Sequence, residues 1–159
     1  MTAPTTQAFA FRGQLLRRGF WLYVWEIQLP DGAAIYYVGR TGDSSSVNAQ
    51  SPFNRMGQHL GFNIKSNVLR RRLESSGIVP EACEFRLVAH GPILDEADSQ
   101  DDHRRRRDVV AAQEKALAEA MAAAGYNVTN RVDCRMALDR VLFVAVRAAF
   151  GSHFPKLLS

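Results

Sequence analysis

The chain has 159 residues, 47% hydrophobic and 23% charged, with a net charge of +4; this size suits one domain with a substantial core and a globular chain rather than a disordered one. No apolar run approaches the roughly 20 residues of a membrane span, and the opening MTAPTTQAFA lacks the basic start and apolar centre of a secretory signal, so a cytoplasmic protein with no membrane partner is expected. Cys83 and Cys134 belong to no CxxC or Cys/His cluster, which argues against structural zinc and a disulfide framework.

Residues 1–18 carry no clear period and read as a loose lead-in. GFWLYVWEIQL (19–29) is rich in aromatic and β-branched side chains and predicts a strand. PDG (30–32) predicts a turn, because proline presets φ and glycine accepts positive φ. AAIYYVG (33–39) then predicts the return strand of an antiparallel hairpin. The polar stretch GDSSSVNAQS (42–51) is too long for a tight connection, and loops of this length are functional or mobile. PFNRMGQHLG predicts a helix from Pro52 to near Gly61, and KSNVLRRRLESS (65–76) a second. EACEFRLVAH (81–90) predicts a third strand beside the hairpin, and DEADSQDDH an acidic loop or helix start. The longest helix is expected from about 100 to 124 with Gly125 as its C-terminal cap. YNVTNR reads as a short extended piece, and 133–150 as a last helix. With no internal repeat, the order ββααβαα predicts an α+β fold: a small three-stranded antiparallel sheet flanked by helices, with an added C-terminal helix.

Four features carry possible chemistry. At about 100° per residue, Val110, Glu114, Leu117, Ala118 and Met121 share one stripe of the long helix. A carboxylate there is costly unless paired or bound to a cation, so Glu114 either reaches an arginine or holds a metal. Arg55 and His59, spaced i, i+4, share a helix face and suit either a phosphate or open solvent. Tyr23 and Tyr37 fall in paired strands, where a lone tyrosine is usually a core residue with one partner for its hydroxyl. The runs RRR (70–72) and RRRR (104–107) are either solvated helix faces or a surface facing a polyanion.

In chain order these features are LYV (22–24), YVG (37–39), Arg55 and His59 in NRMGQHL, Glu114 in QEKAL and Asn127 in GYNVTNR. That series resembles the GIY-YIG nuclease family over roughly residues 20 to 131. The resemblance implies a nuclease domain over 19–131, with 132–159 a helical extension packed on it. It implies a metal-dependent endonuclease acting on DNA, with RNA left open, and one Mg²⁺ or Mn²⁺ ion on Glu114. Tyr23 would help deprotonate the attacking water, and Tyr37 would orient that water or hold the first tyrosine. Arg55 would stabilise the phosphoryl charge, and His59 would take the proton from Tyr23 or contact the phosphate. Asn127 would brace the site, with Asn130 the second choice. Gly39 would let backbone or DNA approach closely, and Arg40 with Arg104, Arg105, Arg106 and Arg107 would track the nucleic-acid backbone. This chain departs from the family pattern in lacking the first motif's glycine and isoleucine. The alternatives are an inactive nucleic-acid-binding domain of the same fold and a protein-interaction module. The apolar residues around 141–146 suggest a homodimer through the C-terminal helix.

Overall fold

In a computed structural model, which describes residues 2–44 and 46–159, the aromatic run after the lead-in is strand β1 (Phe20–Gln28) and its return is β2 (Ala34–Arg40). Met1 of the lead-in and Ser45 of the polar loop lie outside the described residues. The hairpin turn forms as its sequence dictates. Asp31 Oδ1 accepts the Ala33 N–H at 2.9 Å, and Gly32 takes a φ of 89°. Register places Tyr23 opposite Gly39 and Trp25 opposite Tyr37.

Helix α1 (Pro52–Leu60) starts where Ser51 accepts the Asn54 N–H and proline occupies the first turn. Helix α2 (Val68–Ser75) begins three residues later than the sequence suggests, because Asn63 holds the preceding turn through the Ser66 and Asn67 N–H groups. Strand β3 (Glu84–Leu94) pairs antiparallel with β1 and runs beyond His90, through Gly91 and Pro92. The sheet order is therefore β2-β1-β3, with β1 in the middle.

Helix α3 (Gln100–Ala123) is capped by Ser99, which accepts the Asp102 N–H, and Asp101 and Asp102 complement its positive end. Helix α4 (Arg140–Gly151) starts at the Asp139 cap rather than at 133. Residues 133–139 are irregular, and Met136 among them is 52% exposed. No helix among the described residues is long and apolar enough to cross a membrane.

Alternation along β1 divides its side chains between two faces. On the first, Phe20, Leu22 and Val24 join Tyr36 and Val38 of β2 in a core with Val110, Leu117 and Met121 of α3. Val146 and Phe150 of α4, with Phe154 and Leu157 beyond it, complete this cluster. The C-terminal extension is thus built into the same core. Each fully buried side chain of this kind contributes about 1.5–3 kcal/mol. On the second face, Tyr23, Trp25 and Ile27 meet Leu69 and Leu73 of α2, with Met56 and Leu60 of α1 packed alongside. The outer side of α4 leaves Val141 and Val144 85% and 69% exposed.

Candidate functional site

Tyr23 lies in the middle of β1 and is only 2% exposed. Its ring covers Gly39 on the neighbouring strand, so closely that a Cβ there would lie 2.5 Å from the ring. This corrects the expectation for Gly39. The space it leaves is taken by a protein side chain, not by nucleic acid. The glycine of YVG is what lets the tyrosine of LYV lie flat against β2.

The Tyr23 hydroxyl reaches His59 Nε2 at 2.9 Å, in a buried hydrogen bond. The Tyr37 ring stands edge-on to the same imidazole at 5.5 Å between centroids. Helix α1, anchored by Ser51 and Pro52, therefore inserts His59 between the two tyrosines. Burial raises the Tyr23 phenol well above its usual range, with Arg55 pulling the other way. Burial, helped by the Arg55 charge, lowers His59 to about 4. At neutral pH the pair is thus a phenol and a neutral imidazole. When the phenol donates to Nε2, the imidazole proton sits on Nδ1, which is buried with no partner.

Arg55, one turn before His59, donates to Asp43 Oδ2 at 3.1 Å and to Gln58 Oε1 at 3.3 Å. On the long helix, Glu114 is 8% exposed and forms a tight ion pair with Arg40 Nη1 through Oε2. Burial raises the Glu114 carboxyl while Arg40 opposes that rise. The Tyr37 phenol is raised as well, by burial and then by the charge of Glu114. Glu114, Arg40 and Tyr37 form one electrostatic group at the β2 edge, next to the Tyr23–His59–Arg55 group.

The segment that follows YVG now has an account residue by residue. Arg40 holds Glu114 and Asp43 holds Arg55. Thr41 is fully buried, where its hydroxyl accepts the Trp21 N–H at 2.8 Å and donates to the Gly19 carbonyl at 2.5 Å. Thr41 thus pins the end of β2 to the start of β1, and the two charged residues flanking it reach into the site.

Among the asparagines, the bracing falls on Asn130. Its carboxamide accepts the Val38 N–H at 3.0 Å and donates to the Val38 carbonyl at 2.7 Å. Asn127 is exposed and contributes its backbone carbonyl, which accepts the Tyr36 N–H at 2.9 Å. The arginine run divides too. Arg104 and Arg105 are 58% and 74% exposed, with loose ion pairs to Asp101 and Asp102 at 3.9 and 3.7 Å. Arg106 is committed to Asp102 at 2.9 Å and to the Asp95 carbonyl at 2.7 Å, and Arg107 stands 3.5 Å from Asp108.

Sequence reasoning missed Asp43 and Arg72. Asp43 looked like part of a polar loop, and only the fold brings it to Arg55. Arg72 lies 5.8 Å from the Tyr37 ring centroid and donates to the Thr129 carbonyl. Its neighbours in the RRR run are engaged elsewhere: Arg70 pairs with Glu74 and Glu81, and Arg71 bonds Asn67. Nothing in a run of three arginines tells which of them reaches Tyr37.

Among the described residues, no three His, Cys, Asp or Glu side chains converge as a ready-made metal cage. A cation here would have to rest on the carboxylate of Glu114, with oxygen ligands from water and substrate. No protein-family model, curated protein or solved structure matches this chain.

Proposed function

We propose that the chain is a metal-dependent endonuclease of the GIY-YIG type, hydrolysing phosphodiester bonds in DNA with one Mg²⁺ or Mn²⁺ ion on Glu114. The observation that carries this reading is the buried Tyr23–His59 hydrogen bond, with Arg55 one turn away on the helix that carries His59 and Glu114 electrostatically coupled to Tyr37. No packing requirement explains a phenol, an imidazole, two guanidinium groups and a carboxylate gathered at one end of a small sheet.

The donor set fits a hard cation. Arg40 engages Oε2 of Glu114, so Oε1 is the oxygen a cation would take. One carboxylate plus waters and phosphate oxygens suits Mg²⁺, which keeps several of its waters. When bound, such an ion supplies Lewis-acid polarisation of the phosphate and compensates the charge on the leaving oxygen. The protein's own groups account for the proton. Tyr23 takes a proton from the attacking water as its phenolic proton passes to His59 Nε2, which lies 2.9 Å away and is unprotonated at neutral pH. The water oxygen bonds to phosphorus as the bond to the leaving oxygen breaks. Arg55 leaves Asp43 for the phosphoryl oxygens, where planar bidentate donation is strongest. Arg72, Arg104 and Arg105 offer exposed charge for the flanking phosphates.

Incubation of supercoiled plasmid and of single-stranded DNA with the protein and Mg²⁺ or Mn²⁺ tests the reading, with Glu114→Gln run in parallel. Nicking by the native chain that disappears in the variant and in chelator is the expected result. Absence of cleavage on duplex, single-stranded and branched DNA would reduce the fold to a binding domain, and equal cleavage by the variant would remove the metal from Glu114. The exposed Val141 and Val144 of α4 support the further proposal of a homodimer through this helix, which light scattering checks directly.

A further inference from the structure

Beside α1, a groove of about 1060 Å³ runs between the lead-in and strand β3. Its walls include both tryptophans of the chain, Trp21 and Trp25, together with Phe85, Phe9 and Phe11. Met56 and Leu60 of α1 also line it, one residue after Arg55 and His59 respectively, so the groove and the candidate site share one helix. Its titratable lining side chains are Arg12, Arg86, His90 and His153, and among the described residues no carboxylate lines it. Arg86 is neutralised by Glu26, which leaves Arg12 as the cation of the rim.

Three observations set this groove apart from ordinary surface. Phe9 and Phe11 are 69% and 41% exposed, with Phe11 stacked on Phe53 at 4.8 Å, so an aromatic ladder stands in solvent along one wall. The indole N–H of Trp25 is buried with no acceptor, and a buried donor without a partner calls for an explanation. The lining combines several π-faces with positive charge and excludes acidic groups. An apolar peptide would need no such exclusion of carboxylates. A chain of stacked bases on an anionic backbone would need both the rings and the cation.

We infer that this groove binds unpaired nucleic acid, its bases stacking on the phenylalanine ladder and its phosphates meeting Arg12. The binding is sequence-tolerant, because every base presents a π-face, and it weakens with salt, because phosphate contacts release counterions. It stands apart from cleavage, since none of the groups assigned to hydrolysis lines the groove.

Both tryptophans line the groove, so indole emission reports on it without a label. Oligothymidylate of about twelve nucleotides is titrated into the full chain in chelator, where no metal-dependent cleavage can occur. The expected result is a saturable change in emission that weakens as salt rises. The double variant Phe11→Ala/Arg12→Ala, confined to exposed positions, weakens it about tenfold or more. Glu114→Gln leaves it unchanged while removing cleavage, so either reading can fail without the other. An unchanged emission overturns the inference. So does a change of equal affinity in the double variant, which would put the oligonucleotide elsewhere. A response to an apolar decapeptide with none to oligothymidylate would make the groove a protein-docking site and overturn it as well.

Discussion

Strand β1 serves two faces that use burial in opposite ways. On the side of α3 and α4, Phe20, Leu22 and Val24 meet apolar neighbours, and removing water from them is favourable throughout. On the side of α1 and α2, the same strand buries Tyr23 beside His59. There, exclusion of water moves titratable groups out of their ordinary ranges, the phenol upward and the imidazole down to about 4. One face holds the molecule together, and the other keeps a phenol and an imidazole neutral over a wider pH range than water would. A single strand manages both because side chains alternate while the backbone is shared.

The largest test of this division is Tyr23→Phe, which keeps the ring over Gly39 and removes the hydroxyl. On the proposed mechanism, loss of a general base costs about 10²–10⁴-fold, so plasmid nicking should fall by that factor. Urea unfolding should lose only the about 1–3 kcal/mol of leaving buried His59 Nε2 without its partner. A fall in stability as large as that of a core truncation would erase the distinction between the faces. Phe150→Ala on the opposite face should do the reverse. It empties a fully buried site and should cost about 3–5 kcal/mol in urea unfolding, with nicking per folded molecule close to native.

The pH dependence of stability gives a third test. His59 resists protonation when folded but takes a proton near 6.5 when unfolded, so the unfolded state gains protons first as pH falls. Stability present above pH 6.5 should drain away toward pH 4, by about 3 kcal/mol in all. Urea melts of the native chain and of His59→Gln across that window should converge at the acid end. The smallest effect expected is that of Gly39→Ala. A Cβ 2.5 Å from the Tyr23 ring should cost about 2 kcal/mol by overpacking. Combining it with Tyr23→Leu should recover part of that loss, which a double-mutant cycle would measure.

Most of the scaffold was legible because it rests on local signals. The PDG turn, the Ser51–Pro52 start of α1 and the Glu114 stripe of α3 each follow from a few adjacent residues. The errors lie where a distant partner decides. An exception is the last helix, expected from 133, whose start is set locally by the Asp139 cap. The sequence favours Asn127 over Asn130, and the path after Gly125 instead brings Asn130 to Val38. Gly39 marked a close approach, yet nothing local reveals that the approaching group is Tyr23 across the hairpin. Asp43 and Arg72 were invisible for the same reason, since their partners come from other elements.

The segment after α3 has a consequence beyond the site. The Tyr36 N–H goes to the Asn127 carbonyl, the Tyr36 carbonyl accepts from Thr129, and both backbone groups of Val38 are held by Asn130. The outward backbone groups of β2 at these two positions are therefore already taken, whereas among the described residues no strand lies beyond β3 in the sheet. Addition of a further strand is therefore obstructed along β2 at Tyr36 and Val38, so the sheet resists extension on the margin that carries Arg40 and Tyr37.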